Sequence, residues 1–263
     1  MIISRRVSSP IRVHLRVVHA LVLRDIKTRA GASYFGFLFG LVMPLGHIGL
    51  LLSIYVFWGR RPAIGTDTVL FLASAMLPFI VWSYTHQKMI LAFSQNKPLM
   101  SFSIVGFTAI ALARAIVEIL TATLVVLVTA TLIWISGSEM FFSNIKMIVA
   151  SILLAYCFGV STGFLFGILS LVSTVLTMAG FLLVPLFWVT CGGFFIPDAI
   201  PEIARAAASI FVVTHIVDLT RMAVYSGYVS SFSNVYYVIF VTLSNLLLAL
   251  ILSKVMQVSL TSR

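Results

Sequence analysis

Three side chains near the end of the chain have the types and spacing that could support chemistry. His215, Asp218 and Arg221 recur every three residues in the segment THIVDLTRMAV, so on a helix they would lie close enough to share hydrogen bonds. A hydrolytic triad would also need a nucleophile and an oxyanion donor, and neither can be identified. We therefore interpret these residues as a charge pair on a helix surface.

A second group of charges lies near the start of a long apolar stretch. Arg114 and Glu118 are four residues apart, the spacing at which opposite charges on one helix can pair and so lower the cost of their burial. We interpret them as a structural ion pair at the membrane interface, with a direct role in gating as the alternative.

Motifs for an energy source or a metal centre are missing from the sequence. Gly31 and Gly36 have the first spacing of a P-loop, but no lysine follows them. There is also no HExxH and no CxxC motif. We expect no catalytic residue, no metal and no cofactor bound by this chain.

The composition indicates an integral membrane protein. Of the 263 residues, 61% are hydrophobic and 9% are charged, which leaves too little polar surface for a soluble domain. The net charge of +10 does not indicate nucleic-acid binding, because the basic residues gather at the ends of apolar stretches. We expect no nucleic-acid partner and no cleavable signal peptide.

The apolar stretches have the length of transmembrane helices. A helix needs about 20 residues to cross about 30 Å of hydrocarbon. Six stretches reach that length, at residues 33–58, 69–93, 104–135, 145–172, 176–196 and 235–255. Every backbone group must be paired within lipid. The sequence therefore predicts an all-α fold with six transmembrane helices.

The distribution of basic residues predicts the orientation in the membrane. With the N-terminus inside, twelve Lys and Arg residues fall on the cytoplasmic side and five outside, although Arg60 and Arg61 oppose the bias. An even number of spans places both termini on one side. We therefore predict that both termini are cytoplasmic.

Residues 1–32 form a basic, partly amphipathic segment before the first span. On a helical wheel Arg16 and Lys27 lie opposite Val17 and Leu21, although Asp25 breaks the pattern. We expect a cytoplasmic N-terminus with an amphipathic helix that lies in the headgroup layer.

Two connections are longer than a tight turn. Residues 94–105, on the cytoplasmic side, contain Pro98, where a short helix could begin and contact a soluble subunit. An ordinary loop is the alternative. Residues 197–233, outside, contain an apolar run of about eleven residues, too short to cross the membrane. We predict an interfacial or re-entrant segment there.

Glycines recur every four residues in the fourth span. Gly159, Gly163 and Gly167 would lie on one face of a helix, where the absence of side chains lets a neighbouring helix approach closely. We interpret this row as a packing surface, not as a substrate contact.

The chain resembles the permease subunit of type-2 ABC exporters, and most strongly their capsular-polysaccharide export branch. Three segments carry the resemblance in the same order: LVLRDIKTRAGASYFGFLFGLVMPL, NKPLMSFSIVGFTAIALARAIVE and FFIPDAIPEIARAAASIFVVTHIVDLTRMAVYSGYVS. The resemblance implies that residues 33–263 form a six-span domain in the inner membrane. This domain would dimerise, bind two ATPase subunits that use ATP, and move a lipid-linked polysaccharide outward. Periplasmic and outer-membrane export proteins are further candidate partners.

The resemblance also implies roles by position. Residues 24–29 would belong to the interface helix, 97–105 to a coupling helix, and 197–225 to an external re-entrant hairpin that includes His215, Asp218 and Arg221. The residues expected to couple to the ATPase are Arg24, Asp25, Lys27, Arg29, Lys97, Pro98, Ser101 and Phe102.

Aromatic residues in the first and fifth spans are candidates for a translocation path. The C–H faces of sugars stack on aromatic rings, while their hydroxyl groups keep hydrogen bonds at the edges. The candidates are Phe35, Phe37, Phe39, Phe187, Trp188, Phe194 and Phe195. For each of them, packing against lipid or a neighbouring helix is the alternative.

Other functions remain open at this point. The same machinery could export O-antigen, teichoic acid or a small lipid. A membrane-embedded enzyme of glycan or lipid assembly would need a catalytic carboxylate or histidine cluster, which the sequence does not show. A non-transporting scaffold is the third alternative.

The predicted orientation can be tested with a reporter fused after Arg263. Alkaline phosphatase, which is active only outside the cytoplasm, should stay inactive there, because an even number of spans returns the chain to the cytoplasm. Enzyme activity of the fusion in intact cells measures this. Strong activity would contradict the span assignment.

Overall fold

The computed structural model of the protein is built from helices. It describes residues 9–30, 35–102, 104–137 and 144–261, with all their side chains except those of residues 30, 35–40 and 258–261. The helices are α1 (Pro10–Ala30), α2 (Phe35–Phe57), α3 (Thr68–Gln95), α4 (Phe107–Ile135), α5 (Ile145–Leu169), α6 (Thr174–Thr190), α7 (Glu202–Ala208), α8 (Val212–Val224) and α9 (Val235–Thr261). Short 3-10 turns lie at Lys97–Ser101 and Pro197–Ala199. The described ranges contain no strand, which confirms the all-α fold class.

By length and composition, several of these helices can cross a membrane. Among the residues whose side chains are described, four qualify outright: α3, α4, α5 and the Val235–Gln257 part of α9. The pair α7 and α8, bent by 103°, would count as a fifth. The apolar helix α6 has 17 residues and extends about 26 Å at 1.5 Å per residue. The structure thus confirms a helical membrane protein with four or five candidate spans, and the six-span topology stays a prediction.

The fifth predicted span is shorter in the structure. The apolar pattern predicts residues 176–196, but α6 ends at Thr190. Gly192 follows with a φ of +78°, in the left-handed region that favours glycine. A Cβ on Gly193 would lie 2.4 Å from the Cε of Met76, so this position has no room for a side chain. Residues 194 and 195 therefore follow the helix instead of lying in it.

Helix α1 has a buried and an exposed face. Of the predicted apolar residues Leu21 is buried and Val17 is half-buried, and Val18 is buried as well, whereas Arg16 and Lys27 are exposed. The buried residues pack in one cluster with Phe107 at the start of α4. The apolar face is therefore covered by protein, where the sequence analysis expects lipid.

Helices α3 and α5 pack closely along the glycine row. A Cβ on Gly163 would lie 2.4 Å from the Cβ of Met89 and 2.6 Å from the backbone oxygen of His86. A Cβ on Gly159 would lie 2.8 Å from the backbone oxygen of Trp82. The two backbones are thus in contact, which confirms the packing role predicted for these glycines.

Helix α3 is the central element, because it packs against α2, α4, α5, α6 and α8. The buried side chain of His86 joins α3 to two of these helices: Nδ1 lies 3.0 Å from Thr162 Oγ1 of α5, and Nε2 lies 2.9 Å from the backbone oxygen of Gly180 in α6. A carbonyl oxygen can only accept, so Nε2 carries the proton.

We expect Gly163→Ala to lower the melting temperature of the protein. The added methyl group must separate two contacting backbones, and overpacking of this kind costs about 1–3 kcal/mol. Thermal unfolding of the purified protein in detergent measures the effect. Gly49→Ala in α2 is the matched control, because a Cβ there meets nothing within 4 Å, and it should not lower the melting temperature. Equal values for both variants would contradict the close packing.

Candidate functional site

Charged side chains of α1 and α4 form a buried group, which we call the α1–α4 ion-pair network: Asp25, Arg29, Arg114 and Glu118. On α1 the acid precedes the base by four residues, and on α4 the base precedes the acid by four residues. Asp25 lies 3.6 Å from Nε of Arg114, and Arg29 is paired with Glu118. Because the order of acid and base is reversed between the two helices, α1 and α4 can run in the same direction with Asp25 beside Arg114 and Arg29 beside Glu118.

Burial makes each member of the network depend on its partner. The side chains of Asp25 and Arg114 are each 7% exposed, and that of Glu118 is 3% exposed. Removing one member of a buried pair leaves the other charge uncompensated, at a cost of several kcal/mol. Arg114 has additional support, because its Nη2 donates a hydrogen bond of 2.6 Å to Oε1 of Gln95 at the end of α3.

The predicted contact between Arg114 and Glu118 is the weaker part of the network. Nη1 of Arg114 lies 3.9 Å from the carboxylate of Glu118, beyond hydrogen-bond distance. The shorter contacts of both residues go to other elements, to Arg29 for Glu118 and to Gln95 for Arg114. The spacing of four residues on α4 correctly identifies Arg114 and Glu118 as a charged site. Their closest contacts, however, are made with residues of other helices.

The network extends to the connection between α3 and α4. Arg24 donates a hydrogen bond of 2.8 Å to Asp25 and another to Oδ1 of Asn96. The amide nitrogen of Asn96 donates to the backbone oxygen of Ala92 at 2.7 Å, in the last turn of α3. The 3-10 turn Lys97–Ser101 begins at the next residue. Polar side chains therefore join α1, the end of α3 and this turn.

The residues predicted to contact an ATPase divide into two groups. The exposed ones are Lys27, Lys97, Pro98, Ser101 and Phe102. By contrast, Asp25 and Arg29 turn toward α4, and Arg24 holds Asn96. The short helix expected near Pro98 is present as the 3-10 turn, and the accessible residues lie on this turn, just after it and on α1.

His215, Asp218 and Arg221 of α8 are buried, which contradicts the predicted charge pair on a helix surface. Their exposed fractions are 3%, 0% and 0%. Tyr228 donates a hydrogen bond of 2.6 Å to Oδ1 of Asp218. Burial, and then this hydrogen bond, raises the pKa of Tyr228, so the hydroxyl keeps its proton. The spacing of three residues marks the buried face of α8.

Arg221 holds the segment that follows α6. Its Nη1 donates to the backbone oxygen of Phe195 at 2.7 Å, and its Nη2 donates to that of Gly193 at 3.2 Å. The guanidinium carbon lies 4.4 Å from the ring centroid of Phe71, a cation–π contact. These contacts orient the backbone after Gly192 and give Arg221 a structural role.

His215 connects α8 by hydrogen bonds to the end of α7 and to the residue before α9. The backbone N–H of Asn234 donates to Nδ1 at 3.2 Å, so the proton of the neutral ring is on Nε2, which donates to the backbone oxygen of Ser209 at 2.8 Å. The ring also stacks on Phe232 with centroids 4.7 Å apart. Both ring nitrogens are thus used in holding the fold.

Phe187 lies inside the subunit. It is 9% exposed, and its ring centroid lies 4.8 Å from that of Trp82 and 5.5 Å from that of Phe211. This position belongs to the core that α3, α6 and the start of α8 share, and it does not fit a residue that lines a path.

The other aromatic candidates lie at the end of α6 and after it. Trp188 and Phe194 are half-buried with ring centroids 5.3 Å apart, and Phe194 stacks on Tyr55 of α2 at 6.3 Å. Phe195 is half-buried and accepts the bond from Arg221. The remaining candidates begin α2, and their side chains lie outside the described part: Phe35, Phe37 and Phe39.

Known proteins match this chain over most of its length. Two polysialic acid transport proteins KpsM of Escherichia coli are each 26% identical over 238 residues, which cover 90% of this chain and 92% of the relative. The capsule polysaccharide export inner-membrane protein CtrC of Neisseria meningitidis serogroup B is 26% identical over 246 residues, 90% of each chain. The chain is thus similar over most of its length to proteins of polysialic acid transport and capsule polysaccharide export. The resemblance drawn from its three sequence segments is thereby confirmed, and no protein-family model matches the chain.

Two features of the site were not predicted from the sequence. Asp25, which breaks the amphipathic pattern of α1, pairs with Arg114 of α4. Lys88 is the one Lys, Arg, Asp or Glu residue in α3. An isolated charge in a long apolar helix is itself a signal of a functional site.

We expect Glu118→Ala to lower the free energy of unfolding by about 3–5 kcal/mol, because it leaves Arg29 without its carboxylate partner beside the positive charge of Arg114. Thermal unfolding in detergent and the rate of proteolysis within α1 measure this, since α1 loses a contact to α4.

The matched control is Glu202→Ala, which removes an exposed carboxylate from α7. It should change the free energy of unfolding by no more than about 0.5 kcal/mol. A similar loss for both variants, or none for Glu118→Ala, would refute the structural importance of the network.

Proposed function

We propose that this chain is the membrane-spanning permease subunit of an ATP-driven exporter that moves capsular or related lipid-linked polysaccharide across the inner membrane. The observation that carries the proposal is the similarity over 90% of the chain to proteins whose names state polysialic acid transport and capsule polysaccharide export. The apolar helices long enough to span a membrane support it.

We assign ATP hydrolysis to two separate ATPase subunits on the cytoplasmic side. The sequence lacks the glycine-rich loop and lysine that would hold the phosphates of ATP. The exposed turn Lys97–Ser101, together with Lys27 of α1, supplies the surface for these subunits in our proposal. Periplasmic and outer-membrane proteins would then complete the route of the polymer.

The proposed topology has six spans and two cytoplasmic termini. The spans are α2, α3, α4, α5, α6 and α9, and the pair α7 and α8 forms the external re-entrant hairpin. The excess of Lys and Arg on the cytoplasmic side supports the orientation. The bend of 103° between α7 and α8 supports a hairpin over a straight span.

We further propose that two copies of the chain form the path. A hydrated polymer cannot cross lipid unaided, and α2 and α6 expose apolar side chains such as Met43 at 71% and Leu182 at 66%, a surface open to a second copy. Trp188 and Phe194, beside Tyr55 of α2, are the aromatic candidates for sugar contact on this side.

A charge-reversal experiment tests the function and the docking surface together. In a strain that lacks the native gene, the wild-type chain should restore polysaccharide at the cell surface and copurify with an ATPase. The double variant Lys27→Glu and Lys97→Glu should weaken ATPase binding about tenfold or more, because both cations are exposed on the proposed surface. Affinity pull-down and surface staining of the polymer measure the two effects.

Arg60→Glu, an exposed charge on the predicted external side, is the control and should leave ATPase binding unchanged. Normal surface polysaccharide in the strain without the gene would refute the export function. Normal binding and export by the double variant would leave that function standing and refute the docking surface.

A further inference from the structure

Lys88 is an unpaired cation within an apolar helix. It lies seven residues before the end of α3, about 10 Å along the axis, and is exposed. Neither a hydrogen bond nor an ion pair joins it to another residue in the described part of the chain. A lysine at such a position is costly unless something of opposite charge meets it.

Two adjoining cavities open beside Lys88, and both are lined by Lys88 and Arg29. The larger, of about 490 Å³, is polar and is also lined by Arg24, Gln95 and Arg114. The smaller, of about 150 Å³, adds an apolar wall that includes Pro44, Ile80 and Val125. A molecule with a charged head and an apolar chain would match this division.

The walls of the two cavities carry more positive than negative charge. Four cations and two carboxylates line them: Arg24, Arg29, Lys88, Arg114, Asp25 and Glu118. Both carboxylates already contact arginines within the α1–α4 ion-pair network. The residues that line the cavities therefore carry a net charge of +2.

Arg114 supplies an independent sign of a ligand. Its side chain is 7% exposed, and its Nε makes no hydrogen bond within the described residues, although Asp25 lies 3.6 Å away. A buried donor without an acceptor costs about 1–3 kcal/mol or more for a charged group. Arg114 lines the larger cavity, where an anionic oxygen could approach its guanidinium group.

We propose that these cavities bind an anionic phospholipid, with its phosphate held by Lys88 and Arg114 in the larger cavity and the start of an acyl chain against Pro44 and Ile80 in the smaller one. Arginine and lysine are the side chains that bind phosphate, and basic pockets between transmembrane helices on the cytoplasmic side suit lipid head groups. The site does not depend on the proposed export function.

Lipid binding to the purified full-length protein tests the proposal. We expect dioctanoyl phosphatidylglycerol to bind at least about tenfold more tightly than dioctanoyl phosphatidylcholine, as measured by native mass spectrometry of detergent-solubilised protein. Lys88→Gln should weaken phosphatidylglycerol binding about tenfold, because it removes the one cation of the site that has no protein partner. Lys88 is exposed, so this variant should fold.

Lys254→Gln on α9 is the matched control, since it removes an exposed lysine that lines neither cavity, and it should bind as the wild type does. If millimolar inorganic phosphate does not displace the lipid, the acyl chain contributes to binding, as the proposal requires. If it displaces the lipid fully, the site recognises the phosphate group alone, and the acyl-chain part of the proposal is overturned. Equal binding of the two lipids, or unchanged binding by Lys88→Gln, would overturn the proposal.

Discussion

The pairing of buried charges between α1 and α4 is the constraint on which this architecture depends. An isolated charge in apolar surroundings costs several kcal/mol, so the α1–α4 ion-pair network can be buried only when the two helices lie side by side in a single register. A shift of α1 by one turn would place Asp25 opposite Glu118 in one direction, or Arg29 opposite Arg114 in the other, and would separate both ion pairs. The network therefore fixes the position of α1 along α4. Through the bond between Arg24 and Asn96 it also holds the first residue before the exposed turn Lys97–Ser101.

Helix α3 supplies the rigid support for this arrangement. Its end carries Gln95, which bonds Arg114, and its opposite side lies directly on the glycine row of α5. Because the backbones are in contact, no side chains lie between the two helices that could rearrange. We therefore expect α3 and α5 to move as one rigid body. His86 adds polar contacts from the same helix to α5 and α6. The charged network thus rests on the most tightly packed pair of helices.

This connection gives the proposed exporter a physical route for coupling. A subunit bound to the turn Lys97–Ser101 would act on α1 and α4 together, because Asn96 is bonded to Arg24 and Arg24 to Asp25. Any displacement of α1 relative to α4 must break charged contacts in an apolar environment, which favours movement of both helices as one body. On the other side of the protein, Arg221 holds the backbone after α6, next to the aromatic residues proposed for sugar contact.

The sequence by itself determined the membrane class, the helical fold and the glycine packing surface, because composition, stretch length and small-residue spacing act locally. It also identified Arg114 and Glu118 as a site of charge, since spacing along one helix is visible in the chain. Only the tertiary structure decided that Arg29 and Asp25, distant in sequence, are their main partners across α1 and α4. The burial of Asp218 and Arg221 and the end of α6 at Thr190 are likewise visible only in the tertiary structure. Both depend on contacts with neighbouring helices, which no local sequence pattern reveals.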